Sequence, residues 1–193
     1  MNAIPTHHHR QGDWIQTFTG RQFWPLDPDA ADIDIEDIAH ALSMQCRFAG
    51  HCNRFYSVAE HSFYIARYLE SQGAPVIVRL WGLLHDATEA YLVDLPRPIK
   101  ISMPDYREAE GRLMRVIAQC FDLPTDTMPE AVKDADRRIL SDEAAQNMCT
   151  PPAPWSGMRE PLGITINCFP QTVAKNLFLS EFQRLEDLRH ERS

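Results

Sequence analysis

From Asp34 onward, apolar residues recur every three or four positions and strand-like alternation is scarce, so the chain is restricted to a helical fold. Ile35, Ile38, Ala39 and Leu42 predict a first helix from Asp34 to about Cys46. Ser57-Val58-Ala59-Glu60 has the spacing of a capping box. It opens a second helix that continues through Ile65, Ala66 and Leu69 and stops near Gly73. Pro75 suits the first turn of a third helix, with Ile77, Leu80, Trp81 and Leu84 facing inward. This helix is predicted to reach Ala90 or Tyr91 before Pro96 and Pro98 break the chain. Leu113, Val116, Ile117 and Cys120 mark a fourth, near residues 105–121. Thr127 with Glu130 predicts the cap of a fifth, which runs through Val132, Ala135, Ile139 and Leu140. Phe178, Phe182 and Leu185 lie on a sixth, from Gln171 to about Arg189. Between the last two, Met148 to Leu162 carries Pro151, Pro152, Pro154 and Pro161 and reads as an irregular surface excursion. Trp14 to Pro28 reads as a loop or short extended pieces, and residues 1–12 as a flexible tail. With 193 residues, the expectation is one all-α domain spanning the chain.

Composition narrows the function. Nineteen Lys and Arg against 27 Asp and Glu give a net charge of −8. Binding along a nucleic-acid backbone needs clustered positive charge, so a nucleic-acid polymer is not the expected partner. No apolar run is long enough for a membrane span, and the N-terminus lacks the apolar core of a signal peptide. The expected location is therefore the cytoplasm, or the host cytoplasm if the chain is phage-encoded. Cys46, Cys52, Cys120, Cys149 and Cys168 show no C-x-x-C spacing and read as scattered buried thiols. His7-His8-His9 is a possible adventitious metal binder in a polar tail. No Gly-x-Ser-x-Gly elbow and no Gly-x-x-x-x-Gly-Lys loop occurs, which argues against a serine hydrolase and a P-loop ATPase.

Chemistry concentrates after Leu84. His85 and Asp86 follow directly on an apolar stripe, where an unpaired charge costs several kcal/mol (about 3–5) unless it is paired or metal-bound. Glu89 lies four residues after His85 and three after Asp86, so all three project to one side if the helix persists. Asp94 follows just before Pro96. These carboxylates repel one another unless a cation sits among them, and a divalent ion would both offset the charge and activate water. His61 and Asp136 are further donors at helix-compatible places.

In these elements the sequence resembles the HD-domain metal-dependent phosphohydrolases, with their early His, adjacent His-Asp and distant Asp. Ser57-Val58-Ala59-Glu60-His61-Ser62 matches the first element, Leu83-Leu84-His85-Asp86-Ala87-Thr88-Glu89 the second, and Val132-Lys133-Asp134-Ala135-Asp136 the third. Within that superfamily it is similar to the small 5′-deoxynucleotidases and the phage dATP triphosphohydrolases. That similarity is carried by Asp86-x-x-Glu89, by Asp94-Leu95-Pro96-x-Pro98-x-Lys100 and by Arg47 upstream of the His61 element. Gly12-Asp13-Trp14-Ile15-Gln16-Thr17 and Ile38-Ala39-His40-Ala41-Leu42, leading to Arg47-Phe48, favour the dATP side. The similarity spans about residues 12–142.

The resemblance implies that His61, His85, Asp86 and Asp136 ligate a divalent ion: Zn, Co or Mn, with Mg an option. It implies Glu89 and Asp94 as the catalytic acidic pair, or as holders of further ions. Arg47 would hold the phosphate and Lys100 would line the substrate pocket. Apart from the resemblance, Trp14 reads either as a substrate contact through base stacking or as a pin for the N-terminal loop. A small-molecule nucleotide is the expected partner, and a homo-oligomer the expected assembly. The expected reaction cleaves deoxynucleoside 5′-phosphates at the α-phosphorus, leaning to dATP hydrolysis to deoxyadenosine and triphosphate. A 5′-deoxynucleotidase acting on monophosphates and a nucleotide-sensing module without turnover remain the alternatives. His40 and His51 read as structural histidines that could touch substrate. Trp24 reads either as a base platform or as a pin for the N-terminal loop. Lys133, Arg137 and Arg138 read as a solvated face.

Overall fold

The computed structural model describes residues 10–124 and 127–191. Eight α-helices account for most of these residues: α1 (Ile35–Met44), α2 (Val58–Ser71), α3 (Val76–Leu84), α4 (Glu89–Leu92), α5 (Arg97–Lys100), α6 (Pro104–Cys120), α7 (Glu130–Asn147) and α8 (Gln171–His190). The only paired strands among the described residues, β1 (Ile15–Gln16) and β2 (Gln22–Phe23), form a short antiparallel hairpin that pairs Ile15 with Phe23. The fold is all-α, as the periodicity predicts. No helix is long and apolar enough to cross a membrane among the described residues.

α2 is the central element and packs on α1, α3, α7 and α8, while α8 closes over α1, α2 and α3. One hydrophobic cluster runs through the helices, with Leu42, Ile65, Leu80, Leu84, Leu113, Ile139 and Phe178 fully buried. Gly82 sets the approach of α2 and α3. A Cβ there would stand 2.5 Å from Leu69 Cδ1 and 3.1 Å from Ile65 Cγ2. Phe182 is half-buried, its ring edge-on to Phe121 with centroids 5.3 Å apart.

Helix boundaries follow local chemistry, with four corrections to the sequence reading. Ser57 Oγ caps α2 by accepting from the Glu60 N–H at 3.1 Å. The reciprocal half of the capping box is absent, because the buried Glu60 carboxylate turns outward from its own helix. It accepts from the N–H groups of Cys168 and Phe169 at 2.9 and 2.7 Å, docking the chain ahead of α8. Pro75 stands at the N-cap of α3 rather than inside its first turn. Pro129 likewise precedes α7, and Thr127, exposed, gives no cap to that helix.

The largest difference lies in α3, which ends at Leu84 instead of continuing to Tyr91. Ala87 N–H bonds back to Leu84 and Glu89 N–H to Asp86, both three residues away, so the chain tightens to about three residues per turn there.

The expected flexible tail, residues 1–12, falls only partly within the described residues. Residues 1–9 lie outside the described residues, and with them His7-His8-His9. Arg10 is already docked, donating to Asp27 O at 2.6 Å and to Asp32 at 2.7 Å with its guanidinium over Trp24. Trp24 is thus the pin of the N-terminal loop. The proline-rich excursion runs on to α8 and is tied to α7 by several side chains, among them Asp142, Arg138, Gln146 and Asp134. Asp142 accepts from the N–H groups of Leu162, Gly163 and Ile164, and Arg138 donates to the carbonyls of Glu160 and Pro161. Arg138 is therefore a clamp rather than part of a solvated face.

Candidate functional site

Three helices that are distant in sequence converge on one cluster. His61 projects from α2, His85 and Asp86 from the tightened turn after α3, and Asp136 from α7. His61 Nε2 and His85 Nε2 are 3.4 Å apart. Asp86 Oδ2 stands 3.1 Å from His85 Nε2 and 3.6 Å from His61 Nε2. Asp136 Oδ1 stands 3.3 Å from His61 Nε2 and 3.8 Å from His85 Nε2. Gly82 contributes twice, by admitting α2 close to α3 and by accepting from His85 Nδ1 at 2.9 Å. That bond leaves His85 Nε2 free to serve as a ligand.

His61, His85 and Asp86 can hold a metal ion, since their ligand atoms lie within 4.8 Å of one another. Two nitrogens each about 2.1 Å from one tetrahedral ion stand roughly 3.4 Å apart, which matches the separation of the two imidazoles. The electrostatics agree. Burial works against a proton on His85, but Asp86 and Asp136 overcome it and hold the pKa well above its usual value. Burial also opposes ionisation of Asp86, and the neighbouring His85 overrides it, bringing the carboxyl down to about 2. Asp136 is lowered as well, against burial, by its bonds to the two imidazoles. A cluster that draws protons onto two imidazoles in this way is one that a cation stabilises.

Glu89 and Asp94 lie beside this cluster. Burial pushes the Glu89 carboxyl well above its usual range, reinforced by the charges of Asp86 and Asp94. In a three-residue turn, positions 86 and 89 eclipse, which explains why these two carboxylates repel so directly. Glu89 Oε2 is buried with no hydrogen-bond partner among the described residues. Asp94 is half-buried and also raised, chiefly by burial. Two side chains that sequence reasoning missed hold the segment carrying both acids: Gln45 donates to Glu89 O at 2.8 Å and accepts from Asp94 N–H at 2.9 Å, and Tyr106 Oη donates to Val93 O at 2.7 Å. Between the acids, Val93 adopts φ 72°, ψ 146°, a region that β-branched residues rarely occupy.

Arg47 reaches the same cluster from the turn after α1, its Nη1 3.8 Å from Asp86 Oδ2. The three residues after it, Phe48, Ala49 and Gly50, all have positive φ. Lys100 pairs with Glu110 and lines a cavity of about 550 Å³ that opens from His85 and Asp86 along α6. Met114 and Met128 provide apolar lining there, and Arg107 a further cation. Trp14 is not brought to this place: it is 43% exposed at the start of the hairpin and lines neither this cavity nor the one beside His40. His40 stacks on Phe18 with centroids 3.7 Å apart, and His51 is exposed.

Glu143 also escaped the sequence reading. It is fully buried, lies 2.6 Å from His61 Nδ1, and accepts from Tyr56 Oη at 3.0 Å and Arg47 Nη2 at 3.1 Å. Arg47 and His61 hold its carboxyl below the usual range despite burial. The signal was present in the sequence, since Glu143 stands seven residues after Asp136, two turns along the same helix face. Cys46 and Cys52, read as scattered, meet with their sulfurs 3.4 Å apart, and Cys149 is exposed.

No protein-family model matches the chain. It is similar to an uncharacterized protein of Rhodobacter capsulatus, 38% identical over 128 residues, which cover 63% of this chain and 64% of that one. It is also 37% identical over 179 residues to the Escherichia coli protein described as uncharacterized protein YfdR, covering 91% of this chain and 97% of the relative. An identity of that size over nearly the whole of both chains shows that the chain belongs to the family of Escherichia coli YfdR.

Proposed function

We propose that the chain is a divalent-metal-dependent phosphohydrolase of the HD type, cleaving deoxynucleoside 5′-phosphates at the α-phosphorus. The observation that carries this reading is the convergence of His61, His85, Asp86 and Asp136 from three separate helices, with a buried acid and an arginine beside them. Those four residues would hold the ion, with Zn, Co or Mn suited to a mixed imidazole and carboxylate set and Mg an option. A bound divalent ion supplies Lewis-acid stabilisation of phosphoryl charge and lowers the pKa of water.

The remaining work falls to the chain's own groups. Arg47 offers a fixed positive charge to the phosphate oxygens, next to Asp86. Glu89, with its raised pKa and unpartnered Oε2, suits proton transfer with the attacking water or the leaving 5′-oxygen. Asp94 shares that role or helps hold a further ion with Glu89. The 550 Å³ cavity lies on the Lys100 side, and its methionine lining suits a nucleobase. The assembly is proposed as a cytoplasmic homo-oligomer.

The resemblance leans to dATP, but one observation favours the monophosphate alternative. Among the described residues the cavity lining sets only Lys100 and Arg107 against Asp86, Glu108 and Glu110, and Lys100 is already paired with Glu110. Little positive charge is then left for β- and γ-phosphates. Metal-stripped protein should be incubated with Mn, Co, Zn or Mg and a panel of dNMPs, dNTPs and ribonucleotides. Nucleoside with triphosphate selects the dATP-type reading, and inorganic phosphate from monophosphates selects the nucleotidase. Tight nucleotide binding without turnover under every metal would overturn the enzyme and leave a sensing module.

A further inference from the structure

We infer that Glu143 is a positioning residue that aligns the metal-binding and phosphate-binding halves of the site at once. The inference rests on the phosphohydrolase reading above and deepens it. Glu143 comes from α7, two turns beyond Asp136, and each of its carboxylate oxygens faces a different half. Oε1 lies 2.6 Å from His61 Nδ1, and Oε2 accepts from Arg47 Nη2 at 3.1 Å.

On the first side, a carboxylate facing Nδ1 holds the proton there, so that His61 Nε2 presents its lone pair toward His85, Asp86 and Asp136. Tyr56 donates to the same Oε1 at 3.0 Å, which fixes the carboxylate plane. On the second side, the Arg47 N–H donates to Tyr56 O at 2.9 Å, which anchors its backbone but leaves the guanidinium to be placed by its own partners. Glu143 holds the Arg47 head from across the fold. It leaves Nη1 3.8 Å from Asp86, on the side of the metal cluster.

The rest of α7 supports this arrangement. Asn147, one turn further on, bonds the N–H and carbonyl of Arg54 at 2.9 and 3.0 Å and takes the Asn53 N–H on its own carbonyl at 2.7 Å. A single helix face therefore presents Asp136 to the ion, Glu143 to its ligand and to Arg47, and Asn147 to the loop joining them. Glu60, a buried carboxylate that docks the chain ahead of α8, accepts among the described residues only from backbone N–H groups and the Tyr64 hydroxyl, whereas Glu143 is shared between a candidate ligand and a candidate substrate-binding group.

The test compares wild type with Glu143→Gln, which preserves volume and removes the charge. Mn²⁺ alone is titrated into metal-stripped protein by calorimetry, and KM and kcat are then measured separately at saturating Mn²⁺. The variant should bind Mn²⁺ about 10–100-fold more weakly and show a raised KM for the deoxynucleotide. Glu143→Asp should recover part of both. In an Arg47→Ala background the KM penalty of Glu143→Gln should disappear while the Mn²⁺ penalty persists, a split that a purely structural role would not produce.

Equal Mn²⁺ affinity in wild type and Glu143→Gln overturns the inference and leaves the phosphohydrolase intact. Failure of the wild type to bind any divalent ion overturns the phosphohydrolase reading itself, and this inference with it. Should the Gln variant not fold, ¹⁵N NMR of the wild-type histidines at alkaline pH gives an independent reading. His61 should be the Nδ1–H tautomer, and an Nε2–H tautomer overturns the inference.

Discussion

Gly82 shows how much of the site depends on one missing methyl group. The α3 position that faces Leu69 and Ile65 is also the carbonyl that orients His85. Alanine would gain about 1 kcal/mol in helix propensity, but overpacking against Leu69, itself only 2% exposed, costs about 1–3 kcal/mol. Gly82→Ala should therefore lower stability by about 1 kcal/mol net and weaken Mn²⁺ binding, because it forces α2 and α3 apart. Thermal unfolding and calorimetry read the two effects. Substitution also separates the candidate ligands from the candidate catalytic acids. Asp86→Ala should abolish metal binding and turnover together, whereas Glu89→Gln should retain the ion and slow turnover by about 100-fold or more. Parallel metal titration and single-turnover rates check the pair, and two silent variants would place the site elsewhere.

At the scale of elements, the short piece from Glu89 to Asp94 is held against its own preferences. Gln45 grips both ends through its amide, and Val93 between them sits in a glycine-like conformation. Strain of this kind costs about 1–3 kcal/mol, while Val93 is 58% exposed and loses little packing on truncation. Val93→Gly should raise stability by about 1 kcal/mol after allowing for glycine's extra freedom in the unfolded chain. An unchanged or lower melting temperature would refute this. The end of α3 could not be read from periodicity, because its apolar stripe runs on through Ala87 and Ala90 without interruption. What stops the helix is the demand of His85 and Asp86 for partners on α2 and α7, and those partners exist only after the helices dock. Glu60 illustrates the same limit. Its capping-box spacing is real, yet its carboxylate finds two N–H groups more than 100 residues away in the chain.

Across the whole molecule, Glu70 ties three helices together. It bonds Arg79 of α3 and Arg184 of α8, each at 2.8 Å, and Arg67 of its own helix at 2.6 Å. Burial works against its charge, but the arginines, Arg184 first, lower its pKa. A carboxyl whose folded pKa is depressed contributes stability above its unfolded pKa and loses it as pH falls through the folded value. Glu70→Gln should thus be less stable than wild type by about 1 kcal/mol above pH ~5, with the difference vanishing in acid below the depressed pKa. Denaturant unfolding of both proteins from pH 3 to 8 (about the range in which carboxyls titrate) checks it, and a pH-independent gap would contradict it.

The sequence by itself determined the helical class, most helix spans, and the residue types at the heart of the site. These are consequences of local period and of adjacent groups, such as His85 with Asp86, that a single helix end presents together. Only the tertiary structure decided which side chains meet. It made Glu143 a partner of His61 and Arg47, made Gln45 the clamp on Glu89 and Asp94, and left Trp14 away from the cluster. The reason is physical: a buried carboxylate is stable only beside its donors, and those donors, Arg47 after α1 and His61 on α2, lie 96 and 82 residues from Glu143 and come within reach only when α7 packs against that part of the fold.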